Sequence, residues 1–182
     1  MDINIFVNIT SKAWALPILA SLHVGVAGRQ APLLKATGAS RTAFAQSMDH
    51  LIEQGLLERD PGYGHPLRPE FRLTMLGKEA AVLADKVQRA SSEDDQRLLR
   101  KSWTLPVLAS LQTPRHFSDI KRNLQTIGDR ALSQSLKTME AKEWVCRSVD
   151  ETSRPPRSTY SAINTGELIS RITASEISFV KV

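Results

Sequence analysis

Apolar residues along the chain fall into short stripes at helical spacing, broken by glycine and proline. Trp14, Ile18, Leu19 and Leu22 recur three to four residues apart, which predicts an amphipathic helix over about residues 13–24. Pro17 falls in its first turn, where a missing N–H leaves no hydrogen bond unmade. A short helix over about residues 30–36 ends at Thr37-Gly38. Ser40 then caps a third helix whose apolar face is Phe44, Met48, Leu51 and Ile52, closed by Gly55. Two strands follow, at about residues 56–59 and 70–74. The segment between them is so rich in glycine and proline that the pair reads as a β-hairpin with a projecting tip. A fourth helix is expected over about residues 76–89.

The same order then returns. Helices are expected over about residues 103–111, 117–124 and 129–142, the last with Leu132, Leu136 and Met139 facing inward. Strands over about residues 144–149 and 159–163 flank a loop, and Thr165 begins a closing helix. The repetition extends to residue identity. Lys12-Ala13-Trp14-Ala15-Leu16-Pro17-Ile18-Leu19-Ala20-Ser21-Leu22 reappears as Lys101-Ser102-Trp103-Thr104-Leu105-Pro106-Val107-Leu108-Ala109-Ser110-Leu111, with three conservative mismatches at an offset of 89. Gln46-Ser47 matches Gln134-Ser135 at an offset of 88, and Arg68, Phe71 and Gly77 match Arg157, Tyr160 and Gly166 at 89. Several anchor points in one order imply a duplicated fold. The expected class is mainly α with small β-hairpins (α+β), as two tandem domains at residues 1–90 and 101–182. Ser92 and Asp95 form a capping box that restarts a helix in the 91–100 linker. Three helices followed by a β-hairpin is the order of a winged helix-turn-helix.

Composition sharpens this only modestly. The net charge is +5 and the pI near 9.6, with the excess shared as +2 in residues 1–90 and +3 in residues 91–182, a balance that suits a polyanionic partner. The lone cysteine, Cys146, excludes an internal disulfide and a thiol cluster for zinc, so a reducing, cytoplasmic setting is the default; in a short strand it reads as a small packed residue. His23, His50, His65 and His116 lack metal-ligand spacing. No carboxylate pair, Ser/His/Asp set or phosphate-cradling glycine loop stands out, so neither catalysis nor a cofactor or metal is expected. Lys12 and the apolar stretch after it mimic a secretory signal, but the pattern recurs at Lys101, and no apolar run reaches membrane-spanning length; no membrane partner is expected. Trp14 and Trp103 read as core anchors of the first helices.

The second repeat resembles the HxlR-type transcriptional regulators, relatives of the MarR group. The resemblance rests on Lys101-Ser102-Trp103-Thr104-Leu105-Pro106-Val107-Leu108, Pro114-Arg115-His116-Phe117-Ser118-Asp119-Ile120, Ile127-Gly128-Asp129-Arg130-Ala131-Leu132-Ser133-Gln134-Ser135-Leu136, and Pro155-Pro156-Arg157-Ser158-Thr159-Tyr160 with Thr165-Gly166. The first repeat fits more loosely, keeping the Lys-x-Trp opening and Arg68-Pro69-Glu70-Phe71-Arg72-Leu73-Thr74-Met75-Leu76-Gly77. Members typically carry a cysteine near the N-terminus, whereas the cysteine here is Cys146. The resemblance implies a regulator that binds double-stranded DNA, usually as a homodimer. A fused chain is then either a homodimer subunit or a single-chain pseudo-dimer, a pseudo-twofold reader of two unequal half-sites.

In a winged helix the third helix enters the major groove. Its outward residues here are Asp129, Arg130, Ser133, Gln134 and Lys137 in the second repeat and Arg41, Thr42, Ala45, Gln46 and Asp49 in the first. Arginine can pair bidentately with guanine and glutamine with adenine, so Arg41, Thr42, Gln46, Arg130, Ser133, Gln134 and Lys137 are the candidate readers. Arg68 and Arg157 sit on the wings, where a guanidinium can enter a minor groove, and Arg115, Lys121 and Arg122 are candidate phosphate contacts. The competing expectation is that these are solvated faces of amphipathic helices, and that the chain is a tandem winged-helix scaffold for protein partners. Asp49 favours it, because a carboxylate facing phosphate is repulsive.

Overall fold

The alternation of apolar stripes and breaks produces mostly helix with small antiparallel sheets. The computed structural model describes residues 1–60, 69–150 and 156–179. The expected wing tips, and Arg68 with them, lie outside the described residues. The chain divides into two compact units, Asn8–Gln96 and Arg97–Val182, the latter joined by Met1–Val7. This differs from a division at residues 90 and 101. The cause is backbone pairing: Ile3 N–H donates to the Ser178 carbonyl at 3.0 Å and Ser178 N–H to the Met1 carbonyl at 2.9 Å, tying the leading segment to the second unit. That segment begins α1 (Ile3–Thr10), an addition to the expected elements.

The N-terminal unit contains α2 (Ala15–His23), α3 (Gln30–Thr37), α4 (Arg41–Glu53), β1 (Leu57–Asp60), β2 (Glu70–Leu73) and α5 (Met75–Arg89). Its core includes Ile18, Leu19, Leu33, Phe44, Leu51, Leu56 and Leu83, all fully enclosed. Each such side chain contributes about 1.5–3 kcal/mol relative to exposure. Ser40 caps α4 by accepting from Ala43 N–H, and Thr74 caps α5 by accepting from Gly77 N–H at 3.0 Å. β1 and β2 pair antiparallel from Leu57 opposite Leu73 to Asp60 opposite Glu70.

After a capped turn at Glu93–Asp95 and α6 (Gln96–Leu99), the C-terminal unit repeats the sequence of elements. It has α7 (Thr104–Ser110), β3 (Arg115–His116), α8 (Phe117–Leu124), α9 (Asp129–Ala141), β4 (Val145–Asp150), β5 (Arg157–Ala162) and α10 (Asn164–Ala174). Its sheet order is β3-β5-β4. The strand β3 is too short to show in the apolar pattern. Its counterpart in the N-terminal unit is a single bridge, Arg29 to Glu70. Where Ala15 opens α2, the repeat places Thr104, buried at 1% exposure; its hydroxyl donates to the Leu98 carbonyl at 2.8 Å. Unpaired, that hydroxyl would cost about 1–3 kcal/mol.

Two expectations need correction. Trp14 and Trp103 stand at the N-caps of α2 and α7 and are half-buried, while the fully enclosed tryptophan is Trp144. Cys146 is exposed, because strand alternation turns Val145 inward and the next side chain outward. No single helix among the described residues is long and apolar enough to cross a membrane.

Candidate nucleic-acid interface

Helix α9 is set by its apolar side. Leu132, Leu136 and Met139 are buried, at a spacing that turns Asp129, Arg130, Ser133, Gln134 and Lys137 to solvent. Among the described residues Arg130 and Lys137 enter no ion pair, so both cations are available to a ligand. Gln134 is held locally: its amide lies 3.5 Å from the Thr138 hydroxyl, which donates to the Gln134 carbonyl at 2.8 Å. Asp129, at the first turn, pairs with Lys121 of α8 at 2.6 Å. Its carboxylate is therefore neutralised by a neighbour, and the face presents the positive charge of Arg130 and Lys137. Both partners of that pair are substantially exposed, so it contributes about 0–1 kcal/mol.

The turns leading into the two third helices differ. Residues 38–40 suffice between α3 and α4, with Gly38 at φ 69°. Residues 125–128 connect α8 to α9, and a non-glycine residue, Gln125, takes φ 45°. That conformation costs an L-residue on the order of 1–2 kcal/mol.

The other expected contacts of the C-terminal unit are placed unequally. Arg122 is exposed and 3.3 Å from Asp119 one turn earlier. Arg115 on β3 is only half-exposed, with its Nε enclosed and unpaired. Arg157, exposed at the start of β5, lines a shallow concavity of about 490 Å³ with His116, Phe117, Ser118, Ser158 and Tyr160. The concavity joins the wing to the start of α8. Sequence reasoning missed Arg147. The register sets Arg115 and Arg147 on either side of Tyr160 across the three strands, and Arg147 donates to the Ser158 hydroxyl from Nε at 3.0 Å and Nη2 at 2.8 Å. The signal was an arginine inside a strand expected to belong to the wing.

In the N-terminal unit, α4 buries Phe44, Ser47, Met48 and Leu51 and exposes Arg41, Thr42, Ala45, Gln46 and Asp49. Ser47 satisfies its buried hydroxyl by donating to the Ala43 carbonyl at 2.9 Å. Each third helix therefore brings its expected polar residues onto one solvent face.

No curated protein and no solved structure matches the chain. Residues 98–180 match the sequence model of the HxlR-like helix-turn-helix family, a span that takes in α7 through α10. The C-terminal unit thus carries an HxlR-like helix-turn-helix domain, which supports a DNA-binding transcription regulator.

Proposed function

We propose that the chain is a sequence-specific, DNA-binding transcription regulator with two winged-helix domains that act as a pseudo-twofold reader. In this reading α9 lies in the major groove, with Arg130 and Gln134 on base edges and Ser133 and Lys137 reaching bases or backbone. Arg115, Lys121 and Arg122 contact phosphates, Arg157 on the wing enters a minor groove, and Arg41, Thr42 and Gln46 of α4 address a second, unequal half-site. The partner is double-stranded DNA, the setting is the cytoplasm, and the chain carries out no catalysis and needs no cofactor. One observation supports this above the others: within the segment matched to a helix-turn-helix family, the third helix holds on its solvent face a glutamine and two cations that enter no ion pair among the described residues.

Selection of bound oligonucleotides from a random pool tests the reading, followed by a salt titration on selected and random DNA. The expected result is a motif of one or two half-sites, a large preference for it, and affinity that falls steeply with salt. Absence of measurable binding to either DNA at low salt would overturn the proposal. A second reading is favoured by Asp49, exposed on α4 where Lys137 stands on α9. In that reading the N-terminal unit is a surface for a protein partner, and the selected motif has a single half-site.

A further inference from the structure

The division of the chain into units follows the internal repeat with an offset. The N-terminal unit runs from Asn8 to Gln96, and Met1–Val7 belongs with Arg97–Val182. At the repeat offset of 89, residues 1–7 correspond to residues 90–96. Each unit therefore lacks the leading segment of its own repeat and holds that of the other. The correspondence holds at both cuts, although the two segments share no sequence likeness.

The two segments are anchored by different physics, which fits their different routes. Residues 90–96 follow α5 without a break, so covalent continuity keeps them in place. They are closed locally as well: Asp95, 5% exposed, accepts from Ser92 N–H at 2.9 Å and from its hydroxyl at 2.7 Å. Met1–Val7 arrives from the far end of the sequence and must be held by contact alone. It supplies Ile3 and Phe6, buried at 3% and 0% exposure, at a one-turn spacing. It also adds the parallel bridge of Asp2 to Ser178, with Ile177, 6% exposed, at its side.

We propose that the leading segments are reciprocally exchanged between the repeats, and that Met1–Val7 is a strap without which the HxlR-like unit is incomplete. The occupant of the unit's edge at residues 176–178 is the Met1–Val7 segment of the same chain, paired there through Met1, Asp2 and Ile3. This inference stands apart from DNA recognition, and its test uses no DNA.

Hydrogen exchange on the full chain provides the test. Phe6→Ala is expected to reduce protection on the order of a hundredfold or more in peptides from residues 97–178, the cost of emptying a fully enclosed phenylalanine site. Peptides from α2 and α5 should be unchanged. The converse change, Asp95→Ala, should loosen Asn8–Gln96 and leave residues 97–178 protected. Protection lost in Asn8–Gln96 upon Phe6→Ala, or in neither unit, overturns the proposal. A second measurement covers a variant too unstable to study: a chain beginning at residue 8 should regain protection in residues 97–178 when a peptide of residues 1–12 is added. A peptide that fails to bind or to restore protection counts against the strap.

Discussion

Helices α4 and α9 are each thirteen residues long and share a buried side almost position for position: Phe44 with Leu132, Met48 with Leu136, Leu51 with Met139. Their exposed sides differ. At the 88-residue offset Arg41 corresponds to Asp129, Thr42 to Arg130, Ala45 to Ser133 and Asp49 to Lys137; of these outward positions only Gln46 and Gln134 agree. The α4 face is formally neutral, and the α9 face carries one net positive charge. Packing constrains the inner side, since a lost or added methylene in a close-packed core is felt at once. The outer side is constrained only by exposed pairs such as Asp129 with Lys121, so its residues are freer to differ. Under the proposed function, two faces with different outward residues suit two unequal half-sites better than a palindrome.

The largest expected effect tests the shared scaffold. Gly77 and Gly166 occupy the first turns of α5 and α10, where a Cβ would overlap the carbonyl oxygens of Leu56 and Trp144. The carbonyl carbons would lie only 2.9 Å away in both cases. Because the obstacle is backbone and cannot swing aside, Gly77→Ala and Gly166→Ala should each destabilise their own unit by about 3 kcal/mol, the upper part of the overpacking range. Thermal melts with unit-resolved hydrogen exchange check this. A large loss from one alanine and none from the other would break the equivalence of the scaffolds.

Next in size are the outward residues. Arg130→Ala is expected to weaken binding to the selected DNA by about 1–3 kcal/mol, roughly fivefold to 150-fold, and to relax preference at one base position. Arg41→Ala should cost less than half of that free energy, since Asp49, two turns along the same face, already opposes phosphate. Quantitative binding of both variants to selected and random DNA gives the ratio. Equal losses would make the two faces equivalent readers despite their charges. No loss from Arg41→Ala would assign the N-terminal unit to a protein partner.

Much of this was legible because both repeats obey simple periodicities. The buried sides of α4 and α9 follow from apolar spacing, and the bounds Phe117–Leu124 of α8 are those the pattern predicts. Other features had no local signature. The two-residue strand Arg115–His116 exists only because β5 lies beside it. Helix α1 shows Ile3, Phe6 and Ile9 at helical spacing, but its affiliation depends on backbone bonds to residues 176–178, almost the whole sequence away. The exposure of Cys146 follows from which neighbour turns inward, and that is fixed once Val145 enters the core. At the site, the polar face of α9 was foreseen residue by residue. The pairing of Asp129 with Lys121 joins two helices and could not be read from either alone.

That pair yields the smallest prediction and the finest distinction between the faces. On α9 the first residue is a carboxylate compensated by Lys121 at 2.6 Å; on α4 it is Arg41, already positive. Asp129→Asn should have effects of opposite sign on folding and on binding. Stability falls by about 0.3–1 kcal/mol, because a negative charge at a helix N-terminus is lost. The exposed ion pair itself contributes about 0–1 kcal/mol more. Under the proposed function, binding to DNA should instead tighten a few-fold, since Lys121, no longer shared with a carboxylate, engages phosphate more fully and a repulsive charge is removed. If Lys121 then neutralises one further phosphate, the slope of log affinity against log salt steepens by about 0.9. Melting curves and salt titrations of the single variant measure both signs. A fall in stability with no change in affinity or slope would place Lys121 away from the DNA and leave it only a brace between α8 and α9.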